Sequence, residues 1–162
     1  MILCPTIALT GIYLSSLTKR RLELLKLLSL FFSETERLCR YGTYSVIEVF
    51  ILLRKSRQFG RLSFLEYICE SFSPGANLKE LWSEAIELFG NEASDKRSIE
   101  ALISFGDSFG KENKESFCRR CSEFYCFFSE AAEKEALQRE KNREIIVYSA
   151  ILASVAVFFI FI

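Results

Sequence analysis

No histidine occurs among the 162 residues, and proline occurs only twice. Without imidazole, every set of nucleophile, base and orienting group that depends on it is out of reach, and the commonest metal ligand is missing as well. Charge is missing from both ends: residues 1–18 and 145–162 carry none, so all 21 basic and all 21 acidic side chains fall in residues 19–144. The two signs are mixed along that stretch. No basic face for nucleic acid results, and no pair of carboxylates stands apart from Lys and Arg for acid–base work. Internal repeats, low-complexity tracts and flexible linkers are lacking too. The residues thus point to no catalytic group, no cofactor and no small-molecule substrate.

The uncharged ends are the first positive feature. IIVYSAILASVAVFFIFI, residues 145–162, would cover about 27 Å as a helix, close to the thickness of a bilayer's hydrocarbon core. MILCPTIALTGIYLSSLT, residues 1–18, is less apolar and holds Pro5 and Gly11. Both are expected to cross a membrane. Lys19, Arg20 and Arg21 follow the first run, whereas a secretory signal carries its cations before the apolar run. Lys134, Arg139, Lys141 and Arg143 precede the second. With these seven as topology determinants, the positive-inside rule predicts an integral membrane protein whose domain is cytoplasmic and whose termini are both outside. The expected organisation is an N-terminal anchor at 1–18, a cytoplasmic helical domain at 19–130, a charged helical stalk at 131–144 and a C-terminal transmembrane helix at 145–162.

The middle reads as an all-α compact bundle of about six helices, the last continuous with the C-terminal span. Leu22, Leu25, Leu28, Phe32 and Cys39 recur at near-helical intervals through 19–41. Ser45-Val-Ile-Glu48 and Ser63-Phe-Leu-Glu66 both have the S-x-x-E capping-box form, although the VFILL run after the first is β-branched enough to suggest a strand. Ser73-Pro74-Gly75 marks a turn, Asn77 can cap a helix carrying Leu81, Trp82, Ala85 and Leu88, and Gly90 would stop it. Ser94 or Asp95 can cap the next helix. From Lys114 the pattern stays helical through Phe117, Cys121, Phe124, Phe128 and Ala131, then becomes charged, with Glu130–Lys134 and Glu135–Arg139 spaced for i,i+4 pairs.

LISFGDSFGKE, residues 102–112, contains the most unusual spacing. Gly106-Asp-Ser-Phe-Gly110-Lys111 is one residue short of a phosphate-binding loop, and Glu112 stands where that loop needs Ser or Thr. Periodicity supports another reading: Ile99, Leu102, Ile103, Gly106, Phe109 and Gly110 fall on one helix face. There the two glycines would admit a neighbouring backbone while Phe105 and Phe109 fill the space beside them. The helix-packing residues so identified are Leu102, Phe105, Gly106, Phe109 and Gly110, together with Leu81, Trp82 and Ala85 on the preceding helix. Trp82 reads as core, with a partner anchor as the alternative.

Cys118-Arg-Arg-Cys121 followed by Cys126 invites a thiol or zinc enzyme as the rival reading. Zinc would need a fourth ligand, for which only Cys39 or Cys69 is at hand, and Cys118 and Cys121 share a helix face with the apolar stripe. A helical adaptor of an unrelated membrane complex is a further alternative.

The pattern L-x-x-F-G-x-x-F-G-x-x-N, from Leu102 to Asn113, leads into a long polar helix through Ala131 and Tyr148. Together with Tyr41-Gly42 and Leu81-Trp82-x-x-Ala85, it resembles the stage III sporulation protein AB family of endospore-forming bacteria. The family tends to have Asp where Asn113 stands and Gln where Phe117 stands, and its Glu-rich end of the first helix is reduced here to Glu34 and Glu36. The resemblance implies a helical domain similar to the cytoplasmic domains of type II secretion and type IV pilus platform proteins. It also implies a non-enzymatic platform or scaffold subunit, facing the mother-cell cytoplasm, in the envelope complex that links mother cell and forespore. Other stage III sporulation proteins, including the ATPase of that complex, would be its partners.

Overall fold

Helix α1 (Leu3–Tyr41) lays Leu25, Leu28, Phe31, Phe32 and Cys39 along one buried stripe. The computed structural model of the chain describes residues 3–89, 95–110 and 113–161, with side chains at 19–89, 95–110, 113–143 and 145. After α1 come α2 (Val46–Lys55), α3 (Ser63–Ser71), α4 (Leu78–Phe89), α5 (Lys96–Phe105) and α6 (Lys114–Phe161). Short 3-10 turns at Arg57–Phe59 and Gly106–Ser108 follow α2 and α5. Among the described residues the fold is all-α, with six α-helices and no strand.

The β-branched VFILL run is helical because both halves of its capping box close. The Ser45 amide donates to Glu48 Oε2 at 2.7 Å, and the Glu48 amide donates back to Ser45 Oγ at 3.4 Å. Val49, Phe50 and Leu53 then face inward at helical spacing. The second S-x-x-E stretch departs from expectation: Leu62 occupies the N-cap and Ser63 is already in the helix. Glu66 accepts from Arg54 at 3.0 Å. Asn77 accepts from the Lys79 amide at 3.1 Å, and Asp95 from the Ser98 amide at 2.6 Å. Gly90 and Ser94 lie outside the described residues.

The core is organised around α1 and α6, which run antiparallel. Cys118 Sγ lies 4.0 Å from the Glu36 carbonyl, Phe32 meets Phe124 and Phe128 at ring separations of 5.2 and 5.5 Å, and Arg21 Nε is 3.2 Å from Glu135. Helices α2 to α5 close over this pair. The contact continues into the stretch expected to be a solvated stalk: Ala132 is buried, Ala131 and Ala136 pack against the core, and Glu135 is engaged by Arg21.

The two-span assignment is corrected by the structure. Among the described residues no helix is long and apolar enough to cross a membrane, which overturns an integral membrane protein with a cytoplasmic domain and both termini outside. Where their side chains are described, at 19–41 and 114–143, α1 and α6 alternate core-facing apolar side chains with Lys, Arg and Glu, a pattern that hydrocarbon does not tolerate. The side chains of 1–18 and of 146–162, where the spans were expected, lie outside the described residues.

Candidate functional site

Trp82 is fully buried at the centre of the bundle, with Leu81 and Ala85 turned inward beside it on α4. Its indole N–H donates to the Leu102 carbonyl at 2.6 Å, which satisfies the one polar atom that the ring takes into the core. Phe64, Phe105 and Phe109 each stand 5.4 Å from it by ring centroid, with Phe50 at 5.7 Å and Phe31 at 6.4 Å. The structure thus gathers Leu81, Trp82, Ala85, Leu102, Phe105 and Phe109 in one place.

The two glycines part company here. At Gly106 a Cβ would come within 2.9 Å of Trp82 Cδ1, so the missing side chain is space that the indole occupies. Gly110 is not on the same helix face: α5 ends at Phe105, Gly110 has φ +75°, and a Cβ there would meet nothing within 4 Å. Its lack of a side chain serves the left-handed backbone and not close packing. Nor does the stretch have the form of a phosphate loop. Gly106–Ser108 is a 3-10 turn whose buried Ser108 hydroxyl donates to the Phe105 carbonyl at 2.6 Å, and Lys111 lies outside the described residues.

Beside this hub, at the end of the bundle where α1 finishes and α2, α4 and α6 begin, lies a cavity of about 490 Å3. Its floor is apolar, built from Cys39, Val46, Leu78, Phe109 and Phe117. Among the described residues that line it, Lys79 and Lys114 are the charged ones. Lys79 Nζ is 2.6 Å from Asp107 Oδ1, and Lys114 Nζ donates to the Gly42 carbonyl at 3.0 Å. Four separate stretches of chain contribute to the lining, which is why sequence spacing gave no hint of it. The one available signal was indirect: the caps Ser45 and Asn77 mark where α2 and α4 begin.

Asn113 and Phe117, two of the three departures from the pattern of the resembled family, belong to the same end. Asn113 Oδ1 accepts from the Ser116 amide at 2.8 Å and so caps α6, a role that Asp fills equally well. Phe117 is buried, 5.7 Å from Phe105 and 6.1 Å from Phe109. Glu34 and Glu36 pair along their own helix, with Arg37 at 2.7 Å and Arg40 at 2.6 Å.

The cysteine triplet does not assemble. Cys118 and Cys121 are buried on the seam with α1, where Cys39 joins them, whereas Cys126 is exposed. Burial pushes the Cys39 thiol up to about 11, with neighbouring Cys118 acting in the same direction. Burial likewise raises Cys118 and Cys121. Such thiols are protonated at neutral pH and are poor nucleophiles and ligands. Among the described residues no group of three His, Cys, Asp or Glu side chains is placed to hold a metal ion.

Among the seven cations flanking the apolar runs, Arg21 makes cross-bundle ion pairs in the described residues. It lies 2.5 Å from Asp95 at the start of α5 and 3.2 Å from Glu135 on α6. Lys19 stands 4.0 Å from Glu23. Arg20, Lys134, Lys141 and Arg143 are exposed and Arg139 is half-buried.

The family model described as "Stage III sporulation protein AB" matches residues 1–162, the whole chain. No curated protein and no solved structure matches it. The likeness to secretion and pilus platform domains therefore rests on the sequence resemblance alone.

Proposed function

The chain belongs to the stage III sporulation protein AB family, and from that membership we propose that it is a non-enzymatic platform subunit of the stage III sporulation complex. The match over the full length carries this reading. In it, the helical bundle holds other members of the complex in place, the complex's ATPase among them, and residues 19–130 form the partner-binding unit. Two exposed tyrosines support a contact surface at the cavity end of the bundle: Tyr41 and Tyr44 are 83% and 49% accessible. Tyrosine combines a large apolar face with a polar tip, a pairing favoured at interfaces.

The test is affinity purification of the tagged full-length chain from sporulating cells, with mass spectrometry of what accompanies it. Enrichment of other stage III complex proteins, including the ATPase, is the expected result. A chain that sporulation requires but that enriches none of them would overturn the platform reading.

A further inference from the structure

We infer that the outward face of α2 docks against the outward face of α4 on a second copy of this chain. The inference goes beyond the platform reading and does not depend on it. Ile51 and Leu52 are each 38% exposed, on a helix whose buried side is made by Val49, Phe50 and Leu53. They share one outward stripe with Glu48 and Lys55, at spacings of i, i+3, i+4 and i+7. Two apolar side chains on the solvent side of so short a helix leave area that a partner gains by covering.

Charge selects the partner. Lys55 at the end of the stripe and Arg57 just beyond it are exposed and form no ion pair among the described residues, whereas Arg54 is taken by Glu66 and Glu70. Glu48, at the other end, holds its own cap at Ser45. The chain carries the complement on α4, where Glu80, Glu84, Glu87 and Leu88 fall at i, i+4, i+7 and i+8 and are all exposed, Leu88 by 57%. Glu80 accepts from the Asn77 amide and Glu84 from the Tyr67 hydroxyl, both neutral donors, so the carboxylates keep their charge. Lys79, on the same helix, is already paired with Asp107. Residues 90–94, outside the described ones, include no Lys or Arg.

The spacing fixes the direction of the contact. With Leu88 set over Ile51 and Leu52 and the helices antiparallel, Glu84 comes beside Lys55 and Glu80 toward Arg57, because four residues rise about 6 Å on either helix. The parallel arrangement would point the same carboxylates at Glu48, and like charges oppose it.

The test is sedimentation velocity of the full-length chain at about 10–100 μM, in about 50 and about 500 mM salt. Association is expected at low salt, weakened about tenfold at high salt. A dimer supports the inference if the contact is reciprocated about a two-fold axis, and a ring or filament supports it if the contact is not. E80K with E84K, and separately K55E with R57E, should each weaken association about tenfold, and mixing the two variants in equal amounts should restore it. Circular dichroism verifies that each variant keeps its helices. If a double variant unfolds, the single variants E84K and K55E and their mixture decide. A parent chain that stays monomeric at every concentration overturns the inference. So does association that ignores salt and both reversals, or a weakening that the mixture does not rescue.

Discussion

A missing Cβ has opposite meanings at the two glycines of the 102–112 stretch. Trp82 cannot move away from a side chain at 106, because its ring is enclosed by phenylalanines and held by the Leu102 carbonyl. Gly106→Ala should therefore cost stability despite the better helix propensity of alanine, by about 1–3 kcal/mol, and Gly106→Leu should cost more. At Gly110 the cost comes from φ +75° with open space beyond. Ala and Leu there should each lose about 1–2 kcal/mol and differ little from one another, with Asn milder than either. Thermal unfolding of the full-length chain, followed by circular dichroism, measures both series. A large gap between Gly110→Ala and Gly110→Leu would show that the position is crowded after all. Periodicity alone placed both glycines on one face because it counts positions along a helix and carries no information about where backbone dihedrals change sign. It served up to Gly106 and failed four residues later, at Gly110.

At the level of whole elements, capping residues proved better guides than β-propensity. Ser45 and Glu48 make a helix of a run that composition alone would allow as a strand, and Ser45→Ala should cost about 1 kcal/mol. Asn113 offers a sharper comparison: Asn113→Asp should leave the melting temperature unchanged or slightly higher, since a carboxylate also suits a helix N-terminus, while Asn113→Ala loses about 1 kcal/mol. A melt of Asn113→Asp as low as that of Asn113→Ala would remove the capping role. Helix existence was readable almost throughout, from Leu25 and Leu28 on α1 to Phe124 and Phe128 on α6. What could not be read was which of two identical motifs would close. The Ser63 stretch enters its helix one residue early, with Leu62 at the N-cap, and Glu66 takes a partner on another helix, Arg54. That partner is tertiary.

Across the whole molecule, the α1–α6 seam sets the response to alkali. Cys39 on that seam has its thiol raised to about 11 from an ordinary 9.0, so the folded chain keeps a proton that the unfolded chain gives up. The stabilisation is complete below about pH 8.5 and is lost as pH rises through the folded value. The melting temperature should fall between about pH 9 and 11, and Cys39→Ala should flatten that slope while lowering the plateau. Iodoacetamide at about pH 8 should modify Cys126 well before Cys39, Cys118 or Cys121, by mass spectrometry of the native chain. Equal rates would contradict the buried seam. Sequence spacing had grouped Cys118 and Cys121 with Cys126. Five positions along a helix turn Cys126 away, and Cys39, far off in sequence, takes its place. The cavity escaped notice for the same reason, being made of residues that only folding brings together. The antiparallel pairing of the first and last helices also governs how the chain is made. Glu36 and Cys118 are 82 residues apart, so at about 5–20 residues per second a ribosome adds Cys118 roughly 4–16 s after Glu36. Throughout that interval Phe32 has no Phe124 or Phe128 to cover it, and nascent chains crowded on one message are exposed to mutual aggregation until the final helix emerges.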